Sequence, residues 1–190
     1  MKRREFMRTC VTGVTVGAAS LSRGMAAESE VEGRSRRIDP EKLAKTAYQS
    51  FIPGKLTCSE SILIAGCEAL GIKSDLVPDI ALGLAGGIGL QGKACGIVTG
   101  GALVLSLAAA QKETEYPKKK MAAFQAVGRF RQAFEKRVGT TNCRKISGLD
   151  LTKPEDRKKL QTTVKEQTCA AYVKIGAELL ATELREVLGQ

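Results

Sequence analysis

Histidine is absent from all 190 residues, and so is tryptophan. Without imidazole the chain can build no His-ligated haem, no His-bound zinc and no nucleophile–imidazole dyad or triad. Three Tyr and five Phe are the only aromatic side chains, so the core is expected to be filled by Leu, Ile, Val, Ala and Gly, which favours close helix packing. No alternating apolar–polar run of useful length and no internal repeat is found, which argues against a sheet. No Cys-x-x-Cys pair occurs, which leaves neither a thioredoxin-type motif nor a zinc ribbon.

What is present is charge and cysteine. The formal charge is +10. Within residues 1–26, Lys2, Arg3, Arg4, Arg8 and Arg23 oppose Glu5, which leaves +6 for the rest of the chain. Those later charges are scattered and few aromatics lie between them to stack on bases, so no nucleic-acid partner is expected.

Residues 1–27 read as an export signal. A charged start precedes a mild apolar run from Cys10 to Leu21, and small residues follow at Gly24, Ala26 and Ala27. About 12 apolar residues are too few to span a bilayer, so no stable membrane span is expected in the mature form. The string Arg3-Arg4-Glu5-Phe6-Met7 resembles the twin-arginine (Tat) motif. That resemblance implies the Tat machinery as a partner, an extracytoplasmic or periplasmic location, and export of an already folded protein. Cys10 would leave with the signal. Residues 28–37 are polar and read as a linker, and residues 38–190 as a single domain.

Helix punctuation organises that domain. Asp39-Pro40-Glu41 is a helix start, with the helix running to about Phe51. Thr57-Cys58-Ser59-Glu60 is a capping box opening a helix to Leu70, closed by Gly71. Asp75 to Leu84 reads as a short helix. A glycine-crowded turn, Gly86 to Gly92, follows, then a helix from about 95 to 111 that is apolar all round and expected at the centre. Pro117 opens another, with a stripe of Ala123, Val127, Phe130, Phe134 and Val138 and a stop at Gly139. Short helices are expected after Asn142 and Pro154. A last one opens at Thr168-Cys169 with Val173, Gly176, Leu180, Leu184 and Val187 inward. The expected class is all-α, a compact bundle of about five to seven helices. Gly87-x-Gly89-x-x-Gly92 matches the dinucleotide fingerprint in letters, but helices flank it and no second strand follows.

Four of the five remaining cysteines share a setting. Cys58, Cys143 and Cys169 follow capping residues, and Cys95 follows the glycine turn. Each therefore falls near a helix start, where free N–H groups and the dipole favour thiolate. Cys67 lies mid-helix and reads as a plain buried thiol. Three chemistries stay open on these residues: a cluster or soft metal held by four thiolates, dithiol–disulfide exchange, and structural disulfides.

The four dispersed cysteines resemble those of the redox-active proteins named for the string C_GCAxxG_C_C. Cys95-Gly96-Ile97-Val98-Thr99-Gly100 matches its core, with Ile97 where the family usually has Ala. Arg144 and Leu149-Asp150-Leu151 match the context after the third cysteine. The resemblance implies a redox role for Cys58, Cys95, Cys143 and Cys169, exercised with an unidentified redox partner. Related domains in split-Soret-type cytochromes carry an iron–sulfur centre, so an iron–sulfur cluster ligated by these four cysteines is the cofactor it suggests. For the metal-free alternative, Cys95 is the expected attacking thiolate.

Overall fold

Asp39 begins the helical part of the chain by accepting N–H bonds from Glu41 and Lys42, at 2.9 and 3.3 Å, and Pro40 occupies the first turn where no N–H is needed. The computed structural model describes residues 37–190. The export-signal reading and most of the proposed linker lie outside the described residues. Helix α1 spans Pro40–Phe51 and α2 spans Cys58–Leu70. The capping box of α2 forms as the sequence implies: Thr57 N–H donates to Glu60 Oε2 at 2.9 Å, and Glu60 N–H to Thr57 Oγ1 at 3.4 Å. Gly71 ends the helix in the left-handed conformation.

Helix α3 spans Gly96–Lys112, α4 Tyr116–Val138, α5 Cys143–Ser147, α6 Pro154–Lys159 and α7 Ala170–Leu188. No strand is found among the described residues, so the protein is all-α. Helix α3 packs against α2, α4 and α7, the central position expected of an apolar helix. Ile97, Val104, Leu105 and Ala108 are fully enclosed there. Phe130 and Phe134 of α4 are completely buried against it, and truncating either to Ala would cost ~3–5 kcal/mol. Val173, Leu180 and Leu184 of α7 are buried as their spacing requires. Arg129 Nε donates to the largely buried Glu183 at 2.9 Å, a charged pin between α4 and α7.

Two elements differ from expectation. The stretch after Pro78 is a 3₁₀ turn, Asp79–Leu84, with no side-chain cap, rather than an α-helix from Asp75. It is held from below, where Ser59 Oγ donates to Ala81 O at 2.8 Å and Thr99 Oγ1 to Leu84 O at 3.3 Å. The second difference is at the end of the chain. Thr168 does not cap a new helix, because no glycine or proline interrupts the winding between α6 and α7. Leu160–Cys169 continues it as a π-helical stretch, with Ala170 N–H donating to Lys165 O five residues back. Such windings are uncommon and concentrate near functional sites. No helix of the described residues is long and apolar enough to cross a membrane.

Candidate functional site

Cys58 opens α2, and its position follows directly from the Thr57 cap. Cys95 is the N-cap residue of α3 and Cys143 the first residue of α5, where Asn142 Oδ1 accepts from Lys145 N–H at 2.9 Å. The glycine turn and the Cys143 loop are joined by backbone. Cys95 N–H donates to Thr141 O at 2.8 Å, Cys143 N–H to Lys93 O at 2.7 Å, and Arg144 N–H to Gly92 O at 3.1 Å. This isolated antiparallel bridge, Ala94 with Asn142, brings two cysteines 48 positions apart in sequence to one place. Arg144 is fixed in turn by Asp150 at 2.6 Å.

All four cysteines line one cavity of about 130 Å³. Cys95 and Cys143 are buried, and Cys58 and Cys169 are half-buried. No disulfide joins any of the five described cysteines. Cys58 and Cys95 influence each other's ionisation most strongly, each being the leading effect on the other's thiol. Gly96, next to Cys95, leaves room for Cys58 Sγ: a Cβ there would run into that sulfur and press on Ser59 N, so the sulfur would have to shift. Leu90 overhangs the cavity from a left-handed backbone, φ 70°, a conformation that costs a non-glycine residue ~1 kcal/mol.

The four thiols are not equivalent. The Cys95 thiol and the backbone N–H groups of Gly86, Ser59 and Cys58 itself hold the Cys58 thiol below its ordinary range, and burial opposes them. The neighbouring Cys58 thiol, with burial and the Cys58 charge, pushes the Cys95 thiol well above the ordinary value. Burial, with the Cys58 charge added, raises Cys143 to about 11. Cys169 is pushed up to about 12, first by burial and then by the charges of Cys58 and Cys143, against the opposing pull of Lys165. Within this pair charge is favoured on Cys58 rather than on Cys95, the thiol expected to attack. The helix-start setting of Cys169 is likewise absent, since the π-helical stretch uses up the free N–H groups a true N-terminus would offer.

The matching family is described as "Putative redox-active protein (C_GCAxxG_C_C)", and it covers residues 56–183. The chain belongs to this family. Neither the curated protein sequences nor the solved structures yield a match. The match to the C_GCAxxG_C_C family takes in every cysteine that lines the cavity, along with the glycine turn between the first two. Cys67 also falls within the matched span but lies apart from the cavity in the α2 core, 2% exposed, with its thiol raised by burial alone. Cys67→Ala is expected to lower stability by about 1 kcal/mol through the small void it leaves. The number of thiols titrated by a redox buffer should not change, as a thiol count on the variant would verify.

Sequence reasoning missed Lys165 and Lys55, which line the same cavity. Lys165 carried no signal: it lies before the helix start expected at Thr168, and the continuous winding of Leu160–Cys169 is what brings it to the cavity.

Proposed function

We propose that Cys58 and Cys95 form a dithiol–disulfide redox pair. The observation that carries this is that the two sulfurs share one cavity, with Gly96 giving Cys58 Sγ room beside Cys95; the Cys95 thiol and nearby backbone N–H groups favour charge on the Cys58 sulfur. A low-pKa thiolate next to a protonated partner is the arrangement needed for thiol–disulfide exchange: one sulfur attacks, and the other resolves the mixed disulfide. Cys143 and Cys169 line the same cavity.

The shared cavity also motivates a second reading, in which the four thiols bind an iron–sulfur cluster or another soft metal. The donor type suits it. Among the described residues, however, no three Cys, His, Asp or Glu are arranged to hold a metal ion. Tetrathiolate ligation would require the side chains to reorient. The twin-arginine string at Arg3-Arg4 supports export to an extracytoplasmic compartment, where disulfides persist. Cell fractionation and the N-terminal mass of the mature chain test that assignment.

Equilibration of the full chain in thiol–disulfide buffers, followed by peptide mapping, tests the dithiol reading. The expected result is loss of two thiols and recovery of a Cys58–Cys95 disulfide. An unchanged thiol count across the buffer range overturns it. Iron, sulfide and zinc analysis of anaerobically purified protein, with its visible spectrum, decides the cluster reading: a colourless, metal-free, folded protein eliminates it.

A further inference from the structure

The cavity shared by the four sulfurs has ionic walls of one sign. Among the described residues Lys55 and Lys165 line it, and no Asp or Glu does. Lys165 Nζ donates to Leu56 O at 2.9 Å and lies 4.6 Å from the centre of the Phe51 ring. These contacts hold the ammonium at the cavity wall. Leu56 O takes one of its three N–H donors. Burial lowers the lysine's hold on its proton, while the charges of Cys58, Cys169 and Glu60 strengthen it. Of these, Glu60 is engaged by the Thr57 N–H within the capping box. The remaining wall is largely apolar, with Ile97, Leu151, Leu160 and Tyr172. A cavity of ~150 Å³ admits a benzene ring, so the 130 Å³ here takes a fragment of about six heavy atoms.

We infer that the cavity accepts one half of a small anionic disulfide, its acid group against the Lys165 ammonium and its near sulfur facing Cys58. This rests on the dithiol reading above. The Cys58 thiolate attacks the near sulfur, the substrate S–S bond breaks, and the far half leaves as a thiolate that takes a proton from water. Cys95 then releases its proton to water and attacks the Cys58 sulfur. The second half departs as a thiolate, which is also protonated by water. The protein dithiol is oxidised by two electrons, and the disulfide is reduced to two thiols. The half-buried setting and the largely apolar wall lower the local dielectric around the ammonium, which strengthens its attraction for the substrate's charge.

Single-turnover reaction of the reduced full chain with three aliphatic disulfides tests the inference. Dithiodiglycolate carries two negative charges, 2-hydroxyethyl disulfide none, and cystamine two positive charges. Rates are divided by those of the same reagents with free dithiothreitol to remove intrinsic reactivity. Dithiodiglycolate should lead cystamine by at least about tenfold at low salt, and high salt should shrink the gap. Lys165→Gln should cut the dithiodiglycolate rate about tenfold and leave the 2-hydroxyethyl disulfide rate within about twofold, while Lys165→Arg should retain the preference. Equal normalised rates for all three reagents, or an unchanged ratio in Lys165→Gln, overturn the inference. If Lys165→Gln does not fold, the wild-type ranking and its salt dependence decide alone. Formation of a Cys58–Cys95 disulfide with the neutral reagent sustains the dithiol reading whatever the ranking. No reaction with any of the three removes that reading and the inference together.

Discussion

Iodoacetamide at neutral pH is expected to label Cys58 first, ahead of Cys67, Cys95, Cys143 and Cys169. Only thiolate reacts, so the rate at a given pH follows the thiolate fraction and access. A thiol titrating at about 11, as Cys143 does, is ionised in only ~1 molecule in 10⁴ at pH 7. One at about 12, as Cys169 is, is ionised in ~1 in 10⁵. Cys58 lies below the ordinary value of 9.0, so its fraction exceeds ~1 in 10², at least about a hundredfold advantage over either. It is also half-buried where Cys95 and Cys143 are buried. The sign with pH follows: labelling of Cys58 should rise to a plateau whose midpoint lies below 9.0, whereas Cys143 and Cys169 should still be accelerating in strong alkali. Two variants separate the cause. Cys95→Ala removes the thiol donor, so the Cys58 midpoint moves up and its rate at pH 7 falls about tenfold for each unit of the move. Cys95→Ser retains an O–H donor and should preserve much of the depression. Peptide mapping by mass spectrometry over a pH series reads both. First labelling at Cys143 or Cys169, or no shift in Cys95→Ala, would contradict the polarity assigned to the pair.

Much of the architecture behind that polarity is local chemistry, and it was legible. The Asp39 and Thr57 caps, the Pro40 and Pro154 starts and the Gly71, Gly139 and Gly148 stops each act within one turn of chain. The absence of any polar face on the helix after Cys95 is enough to place it centrally. All four site cysteines were marked by expected helix starts, and Cys58, Cys95 and Cys143 do lie at them. What escaped is non-local. The bridge between Ala94 and Asn142 is too short to leave an alternating pattern, yet it aligns Cys95 with Cys143. The winding at Leu160–Cys169 has no sequence signature, and it converts an expected N-terminus at Cys169 into the middle of a continuous helix. Which of Cys58 and Cys95 carries the charge depends on which sulfur Gly86 and Ser59 N–H groups surround. The Cys95 thiol, the largest influence, and the Gly86 N–H reach that sulfur only through the packing of the glycine turn and α3 on α2.

The same glycine-to-alanine change should have opposite signs at two helical sites, one beside the cysteines and one away from them. At Gly100 in α3 a Cβ would lie 2.6 Å from Ser59 O and 3.1 Å from Ser59 Cα. Both are backbone atoms of the first turn of α2, so no rotamer change relieves the overlap and the two helices must separate. Alanine gains ~1 kcal/mol in a helix interior relative to glycine, but overpacking of a rigid contact costs ~1–3 kcal/mol or more. Gly100→Ala is therefore expected to be destabilised by about 1–2 kcal/mol, a fall in melting temperature of roughly 2–8 °C for a chain of this size. It should also raise the Cys58 midpoint, because Ser59 carries one of the N–H groups that hold that thiolate. At Gly128 in α4 nothing lies within 4 Å of the added Cβ, so the helix propensity gain stands unopposed. Gly128→Ala should raise stability by up to ~1 kcal/mol and leave the thiol titration where it was. Thermal melts and pH-dependent alkylation of the two variants read both quantities. A stable Gly100→Ala with an unshifted Cys58 would mean that α2 and α3 can slide apart without disturbing the sulfur, and that the close glycine contact does not position it.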